Sequence, residues 1–290
     1  MTEGATATGT GTGHGKLLLC GEHAVVYGHP AIAFAVDRRT RVTLSRREGP
    51  TVVASPHADE RLTEAIHQVI ARGYTVEVDT DLPVGRGMGS SAALAVALVR
   101  AEAALVGETL NADAVYERAM PLERAFHGNP SGVDVAVSAR GGCLWFRRGE
   151  PPVREGLTPG AWSIAVIDSG TAGDTSALVA QVAARRPAID PALEQIGALV
   201  AEARHQLHDP RALGALLTRN HELLRQIGVS TPVLDGLVQL ALDAGAYGAK
   251  LAGAGGGGVV LALTEGSAHP IVGRAQAAGF TAFECAPWRP

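Results

Sequence analysis

Glycines at 85, 87 and 89 alternate through DLPVGRGMGSS, which runs straight into the Ala/Leu-rich stretch AALAVALVRAEAAL. Glycine clears side chains from places where backbone must approach a ligand. A helix start adds free N–H groups and the positive end of its dipole. The loop Pro83–Ser91 therefore reads as a phosphate cradle formed by Pro83, Gly85, Gly87, Met88, Gly89, Ser90 and Ser91. A serine hydroxyl there can also ligate Mg2+ bound to the phosphates. The competing reading is a Gly-rich turn with serine as a simple N-cap. This is not a Walker A loop, because neither Lys16 nor Lys250 is followed by Ser or Thr, and HRD and DFG signatures are absent.

Three further segments carry candidate chemistry. GAGGGG at 253–258 contains G-x-G-x-x-G, but it leads into the apolar strand-like VVLAL instead of a helix. That order excludes a dinucleotide fingerprint and leaves either a second loop approaching phosphate or a bare turn. HGNPSGVD at 127–134 follows Glu123, so two carboxylates, Glu123 and Asp134, stand on different supports. Phosphoryl transfer to an alcohol needs a metal, charge neutralisation and a carboxylate near the attacking hydroxyl; taken alone, a helix-end Glu and a turn Asp are commonplace. GKLLLCGEHAVVYGHP sets Lys16, Glu22 and His23 around a short apolar run, as a polar substrate would require.

The elements that must position these groups follow from periodicity and punctuation. Residues 1–13 are Thr/Gly-rich and read as frayed at the start, with a strand over Lys16–Cys20. Short strands are expected at Ala31–Val36, Arg41–Ser45, Thr51–Ala54 and Tyr74–Val78, and a helix over Leu62–Ile70. The helix after the glycine loop should end near Gly107, and another, capped by Asn111 or Asp113, should reach Phe126. Beyond a strand at Gly142–Phe146, Pro151-Pro152 suggests a lobe boundary, giving lobes 1–150 and 151–290. The second lobe opens with a strand at Ser163–Ile167, continues with helices over 175–186, 190–207, 211–227 and 232–244, and ends with the strand Val259–Leu263, a helix and a strand. Strands and helices that do not alternate strictly indicate an α+β fold.

Composition narrows the function. The 290 residues are 46% hydrophobic but only 4% aromatic, so the core rests on Ala, Val, Leu and Ile. No apolar run approaches the roughly 20 residues of a membrane span, and the start lacks the features of a signal peptide. Net charge is −4 with no concentrated basic stretch, which argues against nucleic-acid binding. Cys20, Cys143 and Cys285 lie far apart, as expected in a reducing cytoplasm. Of 25 basic residues only Lys16 and Lys250 are lysine. Either this is chance in an arginine-biased chain, or those sites need a compact ammonium where a planar guanidinium will not serve.

In chain order, the four segments together resemble the GHMP kinases, a family that includes galactokinase, homoserine kinase, mevalonate kinase and phosphomevalonate kinase. GEHAVVYGHPAIA and ERAFHGNPSGVD resemble the mevalonate kinase branch in particular, and the motifs span about residue 15 to 258. The resemblance implies a two-lobed GHMP kinase fold. Its N-terminal lobe would be ribosomal-protein-S5-like, with a left-handed β-α-β unit, and its C-terminal lobe ferredoxin-like. The implied reaction is ATP-dependent phosphorylation of (R)-mevalonate to 5-phosphomevalonate in the mevalonate route to isoprenoids. Mg2+ would be the cofactor, ATP the co-substrate and the cytoplasm the location. No nucleic-acid or membrane partner is implied, and a homodimer is compatible with it.

By the same resemblance, Asp134 takes the hydroxyl proton, while Lys16 polarises that hydroxyl and stabilises the phosphoryl group in transit. Glu123 and Ser91, in preference to Ser90, hold Mg2+. Glu22 and His23 join Lys16 and Asp134 on the substrate side, and Gly255 joins the loop residues on the nucleotide. Ala252 departs from the Thr or Ser frequent in the third motif, and Arg86 and Met88 are variants in the second. Two alternatives remain at this point. One is a sibling GHMP kinase acting on a related small alcohol, a phosphorylated acceptor or another position of mevalonate; for a phosphorylated acceptor, extra basic residues should converge on the cleft. A non-catalytic ligand-binding member would have lost Asp134, Glu123 or Lys16.

Overall fold

The computed structural model describes residues 7–55, 63–64, 66–67, 70, 73–127, 130–155 and 162–288. Much of the expected helix at Leu62–Ile70 lies outside them, as do residues 128 and 129 of the HGNPSGVD segment. The chain divides into two compact units, each assembled from separate stretches.

The first unit gathers residues 1–15, 38–82 and 89–141. Strand β1 (Thr8–Cys20) starts well before Lys16, so residues 8–13 are an ordered strand and not a frayed lead. The glycines explain the difference. Gly9, Gly11 and Gly13 lie against helix α1 (Ser90–Leu105), where a Cβ would stand 2.2, 2.1 and 2.0 Å from the carbonyl oxygens of Ala101, Ala97 and Ala93. Two strand residues advance about 6.6 Å and four helix residues about 6.0 Å. Glycine at every second position therefore matches alanine at every fourth, and strand backbone rests directly on helix backbone. Arg100 ties the layer together, donating to Thr12 O at 2.6 Å and to Ala139 O at 2.8 Å.

Strand β2 (Ala31–Arg46) is continuous where two strands were expected. Its later half pairs antiparallel with β4 (Tyr74–Thr80), Thr40 opposite Thr80, and β3 (Val52–Ala54) runs parallel to β4. Helix α2 (Ala112–His127) begins at Asn111, whose Oδ1 accepts from Ala114 N at 2.8 Å. The short helix α3 (Val133–Arg140) was not foreseen. Its valines are indifferent helix formers, but nearly every side chain is buried, and that packing sustains it. The unit's core joins Val42, Leu44, Val76 and Val78 of the sheet to Leu94 and Leu98 of α1 and Val115 and Leu122 of α2. Each such burial is worth about 1.5–3 kcal/mol.

The second unit gathers residues 16–37, 83–88 and 142–290. The first half of β2 pairs antiparallel with β5 (Cys143–Phe146), Ala31 opposite Phe146, and β5 pairs with β6 (Val153–Glu155). The remainder is an antiparallel sheet ordered β10-β7-β9-β8, from β7 (Ser163–Asp168), β8 (Gly248–Ala252), β9 (Val259–Thr264) and β10 (Ala282–Cys285). Helices α4 (Thr175–Ala184), α5 (Asp190–His205), α6 (Pro210–Gln226) and α7 (Pro232–Asp243) fill the first crossover, and α8 (His269–Ala277) the second. The arrangement is ferredoxin-like, and the fold class is α+β. Asp209 and Thr231 cap α6 and α7 with proline at the first helical position, a strong start signal. Among the described residues no helix is long and apolar enough to cross a membrane.

Candidate active site

Within the first unit, helix α1 begins at Gly89, whose φ of 69° suits glycine and which supplies no side-chain cap. The first-turn N–H groups thus lack a capping side chain, as an anion site requires. In that turn Ser91 Oγ donates to Glu123 Oε1 at 3.3 Å and lies 3.0 Å from His127 Nε2. Glu123 and His127 are one turn apart on α2 with their polar atoms 3.6 Å apart, and Glu123 is buried. Sequence reasoning passed over His127; its spacing of four from Glu123 on a helix was the available signal. Asp134 stands half-buried in the first turn of α3, not in an open turn as the sequence suggested. Its N-cap is Gly132 at φ 88°, where a Cβ would come 2.6 Å from the Tyr116 hydroxyl.

Within the second unit, Lys16 is buried, and its backbone N–H donates to Met88 O at 2.9 Å. The Met88 side chain is wholly buried, which leaves only its backbone to face a ligand. Gly85 and Gly87 adopt φ of 72° and 81°. A Cβ on Gly87 would approach Ala252 O to 3.2 Å, so Pro83–Met88 lies close against the start of the second glycine run. On Gly258 it would meet Arg86 O at 3.2 Å, and on Gly255 it would strike Val229 O at 2.1 Å. Arg86 Nε pairs with Asp168 Oδ2 at 3.1 Å, fastening the loop to the end of β7.

The turn Gly21-Glu22-His23 is held from inside the same unit. Glu22 accepts from Lys250 Nζ through Oε1 and from Asn220 Nδ2 through Oε2 at 3.1 Å. Lys250 Nζ also reaches Leu18 O at 3.4 Å. His23, with φ 59°, is the only non-glycine residue at positive φ among those described, and its Nε2 lies 2.8 Å from Ala254 O. A carbonyl only accepts, so Nε2 carries the proton. Burial lowers the His23 pKa, partly opposed by that hydrogen bond and by the Glu22 charge, which favours a neutral ring. Burial, with the Glu22 charge, pushes the Cys20 thiol well up.

The structure thus joins Ser91 to Glu123, Lys16 to Met88, Gly87 to the second glycine run, and His23 to that run's Ala254. Two domain families match the chain, GHMP kinases N terminal domain over residues 57–142 and GHMP kinases C terminal over 191–279. The mevalonate kinase of Thermococcus sibiricus is 37% identical, over 86% of each chain. The chain belongs to the GHMP kinase family. Aeropyrum pernix mevalonate kinase is 36% identical, again over 86% of each chain. The L. major mevalonate kinase solved with R-mevalonate superposes with a TM-score of 0.86 at 26% identity, covering all of both chains. As a kinase related to these enzymes, the chain takes ATP as its co-substrate.

Proposed function

We propose that this chain is a mevalonate kinase, transferring the γ-phosphoryl group of ATP to the C5 hydroxyl of (R)-mevalonate in the mevalonate route to isoprenoids. Phosphoryl transfer rests on one observation: Ser91, in the first turn of a helix with no capping side chain, is hydrogen-bonded to buried Glu123. The acceptor rests on the similarity to mevalonate kinases over most of the chain. Three buried free cysteines suit the reducing cytoplasm in which we place it.

Ser91 and Glu123 fit Mg2+. Both are hard oxygen donors, and an ion that keeps several positions for water and phosphate needs only one or two protein ligands. When bound, Mg2+ neutralises charge on the β- and γ-phosphates. The backbone of Pro83, Gly85, Gly87, Met88, Gly89, Ser90 and Gly255 cradles the nucleotide, and His23 bounds the substrate side. Lys16 orients the C5 hydroxyl and balances phosphoryl charge. The C5 oxygen bonds to the γ-phosphorus, the bond from that phosphorus to the bridging oxygen breaks, and ADP leaves. Asp134 takes the hydroxyl proton. The protein's contribution is chiefly positioning and preorganised charge.

The test is an ADP-release assay with mevalonate, phosphomevalonate, galactose and homoserine offered separately. Release with mevalonate alone is the expected result. Release with another acceptor and none with mevalonate overturns the assignment.

A further inference from the structure

The resemblance placed Glu22 on the substrate side, yet both its carboxylate oxygens are engaged inside the protein. Lys250, Glu22 and Asn220 are each at most 2% exposed and come from β8, the turn after β1, and α6. Taking two charges out of water is costly, and apolar residues of similar volume often serve stability as well or better. Asn220 Oδ1 adds to that cost, since it is buried without a hydrogen-bond partner among the described residues. Stability alone is therefore a poor account of the cluster. Its position supplies another.

Glu22 is bound to Lys250, and the next residue, His23, is bound to Ala254, four positions after Lys250. Two successive residues of the turn are thus tied to the segment 250–254, from which the glycine run 253–258 emerges. That run has almost no side chains of its own to hold it. His23 meanwhile sits at a φ that side-chain-bearing residues rarely adopt, and such a conformation persists only where its surroundings dictate it. The cluster also requires lysine. Lys250 is fully enclosed, with Nζ held by Glu22 and Leu18 O, a setting that favours a compact ammonium over a wider, planar guanidinium, in a chain where 23 of 25 basic residues are arginine.

We propose that Lys250, Glu22 and Asn220 form a buried positioning cluster that holds His23 and the glycine run 253–258 in the geometry phosphoryl transfer needs, without touching substrate. This rests on the kinase reading above. The discriminating variant is the double substitution Glu22→Leu with Lys250→Met, which removes both charges and keeps the volume. Its Tm should stay within about 3 °C of the parent. Its kcat should fall at least about 10-fold, with KM for ATP and mevalonate changed less than about 3-fold. If that protein does not fold, Asn220→Ala spares the ion pair and should cut kcat at least about 5-fold at similar KM. Lys250→Arg, which keeps the charge, should not restore kcat. Parental kcat in a folded double variant or in Asn220→Ala overturns the positioning role. A parent chain inactive on mevalonate overturns instead the functional reading.

Discussion

Replacing Gly13 by alanine should disable the enzyme from a site that touches no substrate. The new Cβ would stand 2.0 Å from Ala93 O, whereas Cβ atoms essentially never come within 3.0 Å of another heavy atom, so β1 and α1 must separate locally by about 1 Å. Ala93 lies two residues past Ser91, in the first turn of α1. Gly9 makes an equally tight contact, 2.2 Å from Ala101 O, but about 15 Å further along the helix from Ser91. Overpacking of this kind costs about 1–3 kcal/mol. At about 2–4 °C per kcal/mol for chains of this size, Tm should fall by roughly 2–12 °C in Gly9→Ala, Gly11→Ala and Gly13→Ala alike. Activity should not fall alike. A 1 Å displacement at reacting groups can cost about 100-fold, so kcat should drop most in Gly13→Ala and least in Gly9→Ala. Scanning calorimetry with steady-state kinetics well below each Tm measures both. Equal kcat losses across the three, or an unchanged Tm in any of them, would refute the reasoning.

Asp134→Asn keeps the shape of the side chain and removes the proton acceptor. Its kcat should drop at least about 100-fold with ATP affinity unchanged, and turnover near the parent rate excludes Asp134 as acceptor. Glu123→Gln replaces the anionic oxygen beside Ser91, so the Mg2+ concentration for half-maximal rate should rise at least about tenfold; an unchanged requirement places the metal elsewhere. His23 and His221 both have pKa values lowered from 6.5, chiefly by burial. The unfolded chain then binds more protons than the folded one between the lowered values and 6.5. Stability should therefore be full above about pH 6.5 and fall as pH drops below it, which urea unfolding at a series of pH values reads directly. Removing both imidazoles, as His23→Gln with His221→Gln, should flatten that slope, and an undiminished slope assigns it to other groups.

How much of this could be read from the chain alone depended on whether each element's reason for existing was local. Helices α5, α6 and α7 fall within two residues of expectation because their causes are adjacent in sequence, apolar spacing inside and Asp-Pro or Thr-Pro at the starts of α6 and α7. The glycine strand at 8–13 has no such local cause. Its threonines and glycines show no apolar alternation, and the need for glycine exists only once α1 lies 80 to 92 residues away in sequence yet against it in space. The site divides in the same way. Ser91, Glu123 and Asp134 lie in recognisable segments whose chemistry is carried by neighbours in the chain. Glu22 and Lys250 stand 228 positions apart, and nothing near either residue reports the other. One trace was nevertheless present, since a chain with 23 arginines kept only two lysines. At Lys250 that choice has a steric cause, a fully enclosed ammonium within reach of a carboxylate and a carbonyl. At Lys16, also buried, the rarity points to the same demand for a compact charge, this time beside the glycine loop that contains Met88. A residue type used sparingly can thus mark a packing constraint that no local pattern reveals.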